Sequence, residues 1–313
     1  MIVVKIFLIL FKISLSQSIY RWQNSRETGD KQGNIGNIHH DFAEKFPVTT
    51  IAELWIYPVK SCQGISLTKA QVTHKGLAGD RQWMIVDQTG KFMTQRTHPQ
   101  LAKVQTKLNN DYLTLNFEQQ QPLQIATHQQ GHLIPVTVWR SQTKAIDQGD
   151  LAAAWFRQIL DVPCRLVRQA SEQIRPINPE YALWENQPIS FADGYPLLLT
   201  NTASLGELNT RISDQQIPMD RFRPNLVVTG DRPFAEDHWQ TFKINELEFV
   251  VAKPCERCVV ITTDQKSGDR STTQEPLRTL RQFRYQPNQG ILFGINLMPK
   301  DIGSLTIGEQ IIL

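Results

Sequence analysis

From Thr49 onward, turn residues divide the sequence into short apolar runs, and this rhythm constrains the fold more than any other feature. Thr49–Val59, Gln82–Asp87, Leu101–Leu108, Tyr112–Phe117, Leu123–Thr127, Gly131–Trp139 and Thr143–Ile146 read as strands. Turn signals such as Thr89-Gly90, Asn109-Asn110-Asp111 and Gln121-Pro122 separate them. Short strands at this spacing predict a small antiparallel barrel or sandwich. Further on, Leu197–Leu199, Asn225–Thr229, Thr241–Ile244, Leu247–Val251, Val259–Thr263, Leu292–Leu297 and Ser304–Leu313 continue the pattern.

Three stretches have helical spacing instead. Asp150 is expected to cap Leu151–Leu160, with Leu151, Trp155, Phe156, Ile159 and Leu160 as its core stripe. Ser204 and Glu207 have capping-box spacing and open a helix reaching Ile212. Pro276 suits the first turn of a helix over Glu275–Phe283. The expected fold is mostly β with a few helices, in two closely packed β-rich halves.

Composition narrows the function. The 313 residues carry 33 basic and 30 acidic side chains, and a formal charge of +3 is too small to point to nucleic acid. Four cysteines, Cys62, Cys164, Cys255 and Cys258, do not form a secreted disulfide framework. The apolar segment at the N-terminus is interrupted by Lys5 and bounded by Lys12, so it is far shorter than a membrane span. Residues 1–15 are therefore expected to make weak membrane contact at most. Residues 18–47, including His39-His40, read as a solvated linker.

Four constellations carry chemistry. Cys255-Glu256-Arg257-Cys258 places two sulfurs beside positive charge, ahead of the β-branched run Val259–Thr263. A structural zinc would need a second ligand pair, and a thioredoxin-like pair would open a helix, so a single reactive or metal-bound thiolate is the better reading. Two buried small hydrophobes are the bland alternative. The second, Tyr57-Pro58-Val59-Lys60-Ser61-Cys62-Gln63-Gly64, puts Lys and Ser at a strand end, where a phosphate corner forms, although a plain surface turn has the same pattern. In the third, Gly79-Asp80-Arg81-Gln82-Trp83, Arg81 either binds an anion or pairs with Asp80. The fourth, Arg221-Phe222-Arg223-Pro224-Asn225, sets two arginines at i, i+2 on an extended segment, with Asn225 able to read a heterocycle edge. Together these corners fit a bound organic phosphate.

In chain order the motifs run 57–64, 79–83, 221–225 and 255–264, together with Phe234-Ala235-Glu236-Asp237-x-Trp239 and Gln274-Glu275-Pro276-Leu277, and the chain resembles the MOSC-domain molybdenum enzymes over roughly residues 50–313. The resemblance is to the mitochondrial amidoxime-reducing component and the bacterial YcbX-like proteins. It implies an N-terminal extension over 1–47, a MOSC N-terminal β-barrel over 48–150 and a MOSC domain over 151–313. It implies a molybdenum cofactor, molybdopterin with its metal bound through Cys258, which is also the catalytic position. Lys60, Ser61, Arg81, Arg223 and Asn225 match cofactor-binding positions, as do Thr200 and Asn201 within Thr200–Ser204. Glu256 stands where close relatives of the mitochondrial type carry Ser, so its carboxylate would either repel the phosphate or serve substrate or a proton.

The implied activity is reduction of N-hydroxylated compounds (amidoximes, hydroxylamines, N-hydroxylated bases) by oxygen abstraction at molybdenum. The appended C-x₄-C-x₂-C ferredoxin module of YcbX-type proteins is missing from the 313 residues. Electrons are then expected from a separate ferredoxin- or cytochrome b5-like donor with its reductase. The alternative is a sulfur or cofactor carrier resembling the tail of molybdenum cofactor sulfurases. A pyridoxal phosphate role would need a Schiff-base lysine, and nothing in the sequence selects Lys60 or Lys253. The expected location is cytoplasmic, with membrane association through the N-terminal segment as the alternative.

Overall fold

The computed structural model describes residues 48–313 with the exception of Asp231. The apolar segment 1–15, the stretch 18–47 and the His39-His40 pair lie outside the described residues. Among the described residues, 19 strands and three α-helices make a mostly β protein, as the turn-punctuated sequence predicts. The largest sheet runs in the order Ile311–Ile312, Thr241–Ile244, Leu247–Glu256, Gly290–Pro299, Leu197–Asn201, Leu226–Val228, Ile51–Ile56, Ile65–Leu67. Only the pairing of Leu197–Asn201 with Leu226–Val228 in this sheet is parallel. A parallel pair needs a long crossover, and the helix Thr202–Thr210 lies within it.

A second sheet takes Trp83–Asp87, Cys164–Gln169, Ser141–Asp147 and Leu133–Val138 in that order. Each sheet buries its own apolar face. Leu54, Leu199, Leu226, Phe249 and Ile295 are in one core, and Trp83, Leu101, Leu113, Phe156 and Leu166 are in another. Each fully buried side chain of this size stabilises by about 1.5–3 kcal/mol. The sheets interleave across residue 150. The helix Asp150–Leu160 packs on Cys164–Gln169, while Ile51–Ile56 joins the sheet of the later strands.

Several local expectations change. Leu101–Leu108 is not one strand: Pro99–Lys103 forms a 3-10 turn and only Gln105–Leu108 is extended. Proline at the start of that turn pre-sets its φ, and Leu101 is buried by the turn. Asp150 lies inside its helix rather than capping it. Gly149, at φ 87, is the cap residue, and Leu151 is 82% exposed. Val259–Thr262 is a 3-10 turn, not a strand, so the cysteine pair ends one strand instead of starting another.

The capping box at Ser204 also fails. The helix starts earlier, at Thr202, and Asn201 Oδ1 caps it by accepting from the Ala203 N–H at 2.9 Å. Ser204 Oγ instead donates to Glu236 Oε1 at 2.8 Å, and Asn201 Nδ2 donates to Oε2 at 3.2 Å. Glu236 is fully buried. Burial pushes its carboxyl above the usual range, against the pull of the Ser204 and Asn201 hydrogen bonds. A raised folded value means this carboxyl favours the folded state at low pH and loses that contribution as pH rises through the folded value. Glu236→Gln is therefore expected to gain melting temperature relative to the native protein between pH 5 and pH 8. A relative gain of roughly 2–4 °C corresponds to about 1 kcal/mol. Parallel melting curves at every pH would refute the buried-carboxylate account.

Candidate functional site

The register of the main sheet brings the two arginine motifs together. Ile51–Ile56 runs antiparallel to Leu226–Val228, with Leu54 opposite Leu226. The residues after the first strand therefore meet those before the second. Tyr57 O–H donates to Pro224 O at 3.2 Å, and the guanidinium carbons of Arg81 and Arg223 lie 4.4 and 4.2 Å from the centre of its ring. Gly64 is required beside that ring, because a Cβ there would stand 2.6 Å from it.

Arg81 Nη1 donates to Asp80 Oδ2 at 2.6 Å and to Asn225 Oδ1 at 3.1 Å, and Arg223 Nη1 donates to Gln265 Oε1 at 2.9 Å. Arg81 is thus paired with a buried carboxylate, while Arg223 is held by a neutral amide. Burial lowers Arg223 to about 10, and the neighbouring Arg81 charge acts in the same direction. Ser61, Arg81 and Arg223 have φ of 71°, 46° and 54°. The left-handed conformation costs a non-glycine residue roughly 1–2 kcal/mol, and such strain clusters at ligand-binding sites.

Lys60 belongs to a second cationic group. Its Nζ donates to Phe191 O at 2.8 Å and to Asp193 Oδ1 at 2.5 Å. Burial lowers Lys60 to about 8, with Asp193 acting in the opposite sense. Burial would raise the Asp193 carboxyl, yet Lys60 and Arg96 hold it well below the usual range. Trp139 Nε1 also donates to Asp193 Oδ1, at 3.0 Å. The loop carrying Asp193 is fixed by Arg175, which donates to the carbonyls of Ser190, Ala192 and Asp193.

The cysteine motif closes the site. Leu247–Glu256 leaves the sheet at Glu256, and Arg257 turns inward to donate to Phe293 O at 2.8 Å and Phe222 O at 3.0 Å. Its Nη2 is buried with no partner among the described residues. Cys258 precedes the turn Val259–Thr262 and is half-buried. Burial pushes Cys255 up despite Arg257, and it takes Cys62 to about 12 and Cys164 to about 11. A Cβ on Gly290 would collide with Glu256 Oε1 and stand 2.7 Å from Cδ, so this carboxylate rests against the Gly290 backbone.

One cavity of about 190 Å³ is lined by Lys60, Ser61, Arg81, Arg223, Asn225, Glu256 and Cys258. Thr200 and Asn201 do not line it. Thr200 Oγ1 donates to Met219 Sδ at 3.2 Å, and Asn201 serves the helix cap and Glu236. Asn225 does line it, but its amide is largely committed. Oδ1 accepts from Arg81 and from the Leu198 N–H, and Nδ2 donates to Trp55 O. Its visible work is to hold Arg81.

Sequence reasoning missed Arg96, Asp193 and the paired amides Gln95 and Gln265. Gln95 Nε2 donates to Ser61 O at 2.7 Å and to Gln265 Oε1 at 3.0 Å, which links Ser61 to Arg223. A polar run, Thr94-Gln95-Arg96-Thr97, directly after the apolar Phe92-Met93 was the available signal.

Two family models match the chain: the MOSC N-terminal beta barrel domain over residues 48–163 and the MOSC domain over residues 186–312. Mitochondrial amidoxime reducing component 2 of Rattus norvegicus is 33% identical over 286 residues, covering 84% of this chain and 83% of that protein. Mitochondrial amidoxime-reducing component 1 of Homo sapiens is 31% identical over 283 residues, covering 85% and 83%. The molybdenum cofactor sulfurase of Oryza sativa subsp. japonica is 33% identical over 269 residues, covering 79% of this chain but 32% of that protein. No helix among the described residues is long and apolar enough to cross a membrane.

Proposed function

The chain belongs to the MOSC family, in the two-domain form it shares with the mitochondrial amidoxime reducing components, and on that premise we propose that it is a molybdenum-cofactor-dependent reductase of N-hydroxylated compounds. The observation that carries this reading is the convergence of Cys258 with Arg81 and Arg223 on one cavity. The chemistry of the donors fits such a group. A half-buried thiol suits a soft metal, two guanidiniums with one carboxylate suit a phosphate, and the unpartnered Arg257 Nη2 can take a further acceptor.

When bound, the molybdenum centre supplies oxygen abstraction from the N–O group. The chain's own residues hold and orient. Cys258 Sγ holds the metal, and Ser61, Arg81 and Arg223 hold the phosphate. The backbone strain at these three residues points their donors without reorganisation on binding. Asn225, Gln95 and Gln265 fix those donors from behind. Reduction to an amidine or amine consumes protons, and Lys60 Nζ, lowered to about 8 by burial, can release one into the cavity near neutral pH. Thr200 and Asn201 have no part in this reading. A separate ferredoxin- or cytochrome b5-like protein supplies electrons. A cytoplasmic location belongs to the same proposal, although the relatives are named mitochondrial.

Purified protein is expected to carry molybdenum and pterin and to reduce benzamidoxime with an artificial electron donor. Because the protonated form of Lys60 is the competent one, turnover falls as pH rises through about 8. Absence of metal and turnover would refute the reductase. A persulfide on a cysteine without turnover would favour the carrier reading, for which the similarity to the rice sulfurase is the supporting observation.

A further inference from the structure

The second cationic group, apart from the Tyr57 corner, is built around Arg96. This residue lines the cavity, yet among the described residues its guanidinium makes one long hydrogen bond, from Nη2 to Asp193 Oδ2 at 3.4 Å. A guanidinium carries five N–H donors in a planar fork. Most of that capacity is left for a ligand.

The fork is held in place from outside the cavity. Its central carbon lies 4.6 Å from the centre of the Trp139 ring, a favourable cation–aromatic distance. Trp139 is 49% exposed, packs on Phe92 at 5.2 Å and donates its indole N–H to Asp193. It is also the first residue of the two-residue turn joining Leu133–Val138 to Ser141–Asp147, and its φ is 57°. Such turns favour Asn or Gly there, and a bulky aromatic is strained. A solvated turn gives no reason for that strain. Holding Arg96 and Asp193 does.

The charge balance favours an anion. Asp193 is one carboxylate facing both Lys60 and Arg96. Arg175 beside it is committed to backbone carbonyls. Lys60 and Arg96 therefore have one carboxylate, Asp193, between them, and the other carboxylate of the lining, Glu256, rests against Gly290.

We propose that Arg96 binds an anionic group on the substrate, a carboxylate in particular, and that Trp139 is the positioning residue for Arg96. A carboxylate can take two parallel N–H···O bonds from the fork, which a lysine cannot provide. The inference rests on this cavity being the substrate site of the reductase, and it adds a substrate class to that reading.

The test compares benzamidoxime with 4-carboxybenzamidoxime as substrates of the loaded full-length protein. Independently of turnover, it compares benzamidine with 4-amidinobenzoate as ligands by calorimetry. The native protein is expected to favour the carboxylated compound of each pair by about tenfold in KM and Kd. Arg96→Gln and Trp139→Leu are expected to lose that preference, and Trp139→Phe, which keeps a ring against the guanidinium, to retain most of it. Equal affinities in the native protein, or a preference that survives Arg96→Gln, would overturn the subsite. A Trp139→Phe variant no better than Trp139→Leu would overturn the positioning role. If the native protein binds 4-amidinobenzoate through Arg96 but does not reduce benzamidoxime, the reductase reading fails and the anion subsite stands.

Discussion

Cys258→Ala is expected to lower benzamidoxime reduction by more than about 10³-fold, a barrier increase of roughly 4 kcal/mol, and to remove molybdenum from the purified protein. Cys255→Ala is expected to lose no more than about 10–100-fold in rate, the usual cost of a change beside a metal ligand, and to keep most of its metal. The asymmetry has a structural cause. Cys255 is the last cysteine within a paired strand, its thiol is pushed up by burial, and its Sγ already donates weakly to Glu256 O at 3.7 Å. Both sulfurs are half-buried on the cavity wall, but Cys258 stands beyond the strand end and its Sγ accepts or donates no hydrogen bond among the described residues. Elemental analysis and melting temperature on both variants separate metal loss from misfolding. Full metal content in Cys258→Ala, or an equal loss in Cys255→Ala, would remove the assignment.

The Tyr57 corner was legible because it is made of local motifs. Tyr57 to Gly64, Asp80-Arg81 and Arg223 to Asn225 each carry their chemistry within a few residues, and the antiparallel pairing of Ile51–Ile56 with Leu226–Val228 joins them. The Asp193 group was not legible as a group: Trp139 and Arg96 are 54 and 97 residues from Asp193 in sequence, and the motif that marks Lys60 does not point to any of these partners. Arg175, which fixes the Asp193 loop by three backbone carbonyls, reads in sequence as one more charge in a polar section.

The misplaced pieces have physical reasons too. Val259–Thr263 has strand propensity, but its backbone lacks a partner strand and closes a 3-10 turn that packs on Met219–Phe222. Thr200 and Asn201 lie in the segment Thr200–Ser204 that the resemblance alone marked, and the buried carboxyl of Glu236 takes the Asn201 amide and the Ser204 hydroxyl. No donor of Asn201 is directed to the cavity. Tertiary hydrogen bonding to one buried acid decided what the local pattern could not.

Gly294→Ala is expected to destabilise the protein by about 3 kcal/mol or more, lowering Tm by roughly 6–12 °C. Glycine within a strand marks a bulge or a close backbone approach, and here it marks both conditions. Gly294 lies in Gly290–Pro299 with φ of 74°, a conformation that costs alanine roughly 1–2 kcal/mol. An added Cβ would also collide with the carbonyl oxygen of Leu199 in the neighbouring strand and stand 2.9 Å from Thr200 Cγ2. The Leu199 carbonyl is backbone of a paired strand and cannot rotate away. The same Cβ would lie 3.4 Å from Arg257 Nη2, so the cavity wall shifts with the strand and activity falls with stability. Gly206→Ala is the matching control. It lies in the helix Thr202–Thr210 with nothing within 4 Å of the new Cβ, and the gain in helix propensity predicts a rise of about 0.5–1 kcal/mol. If thermal melts show Gly294→Ala within about 1 °C of the native protein, the strand is not held against Leu199 as tightly as this contact requires.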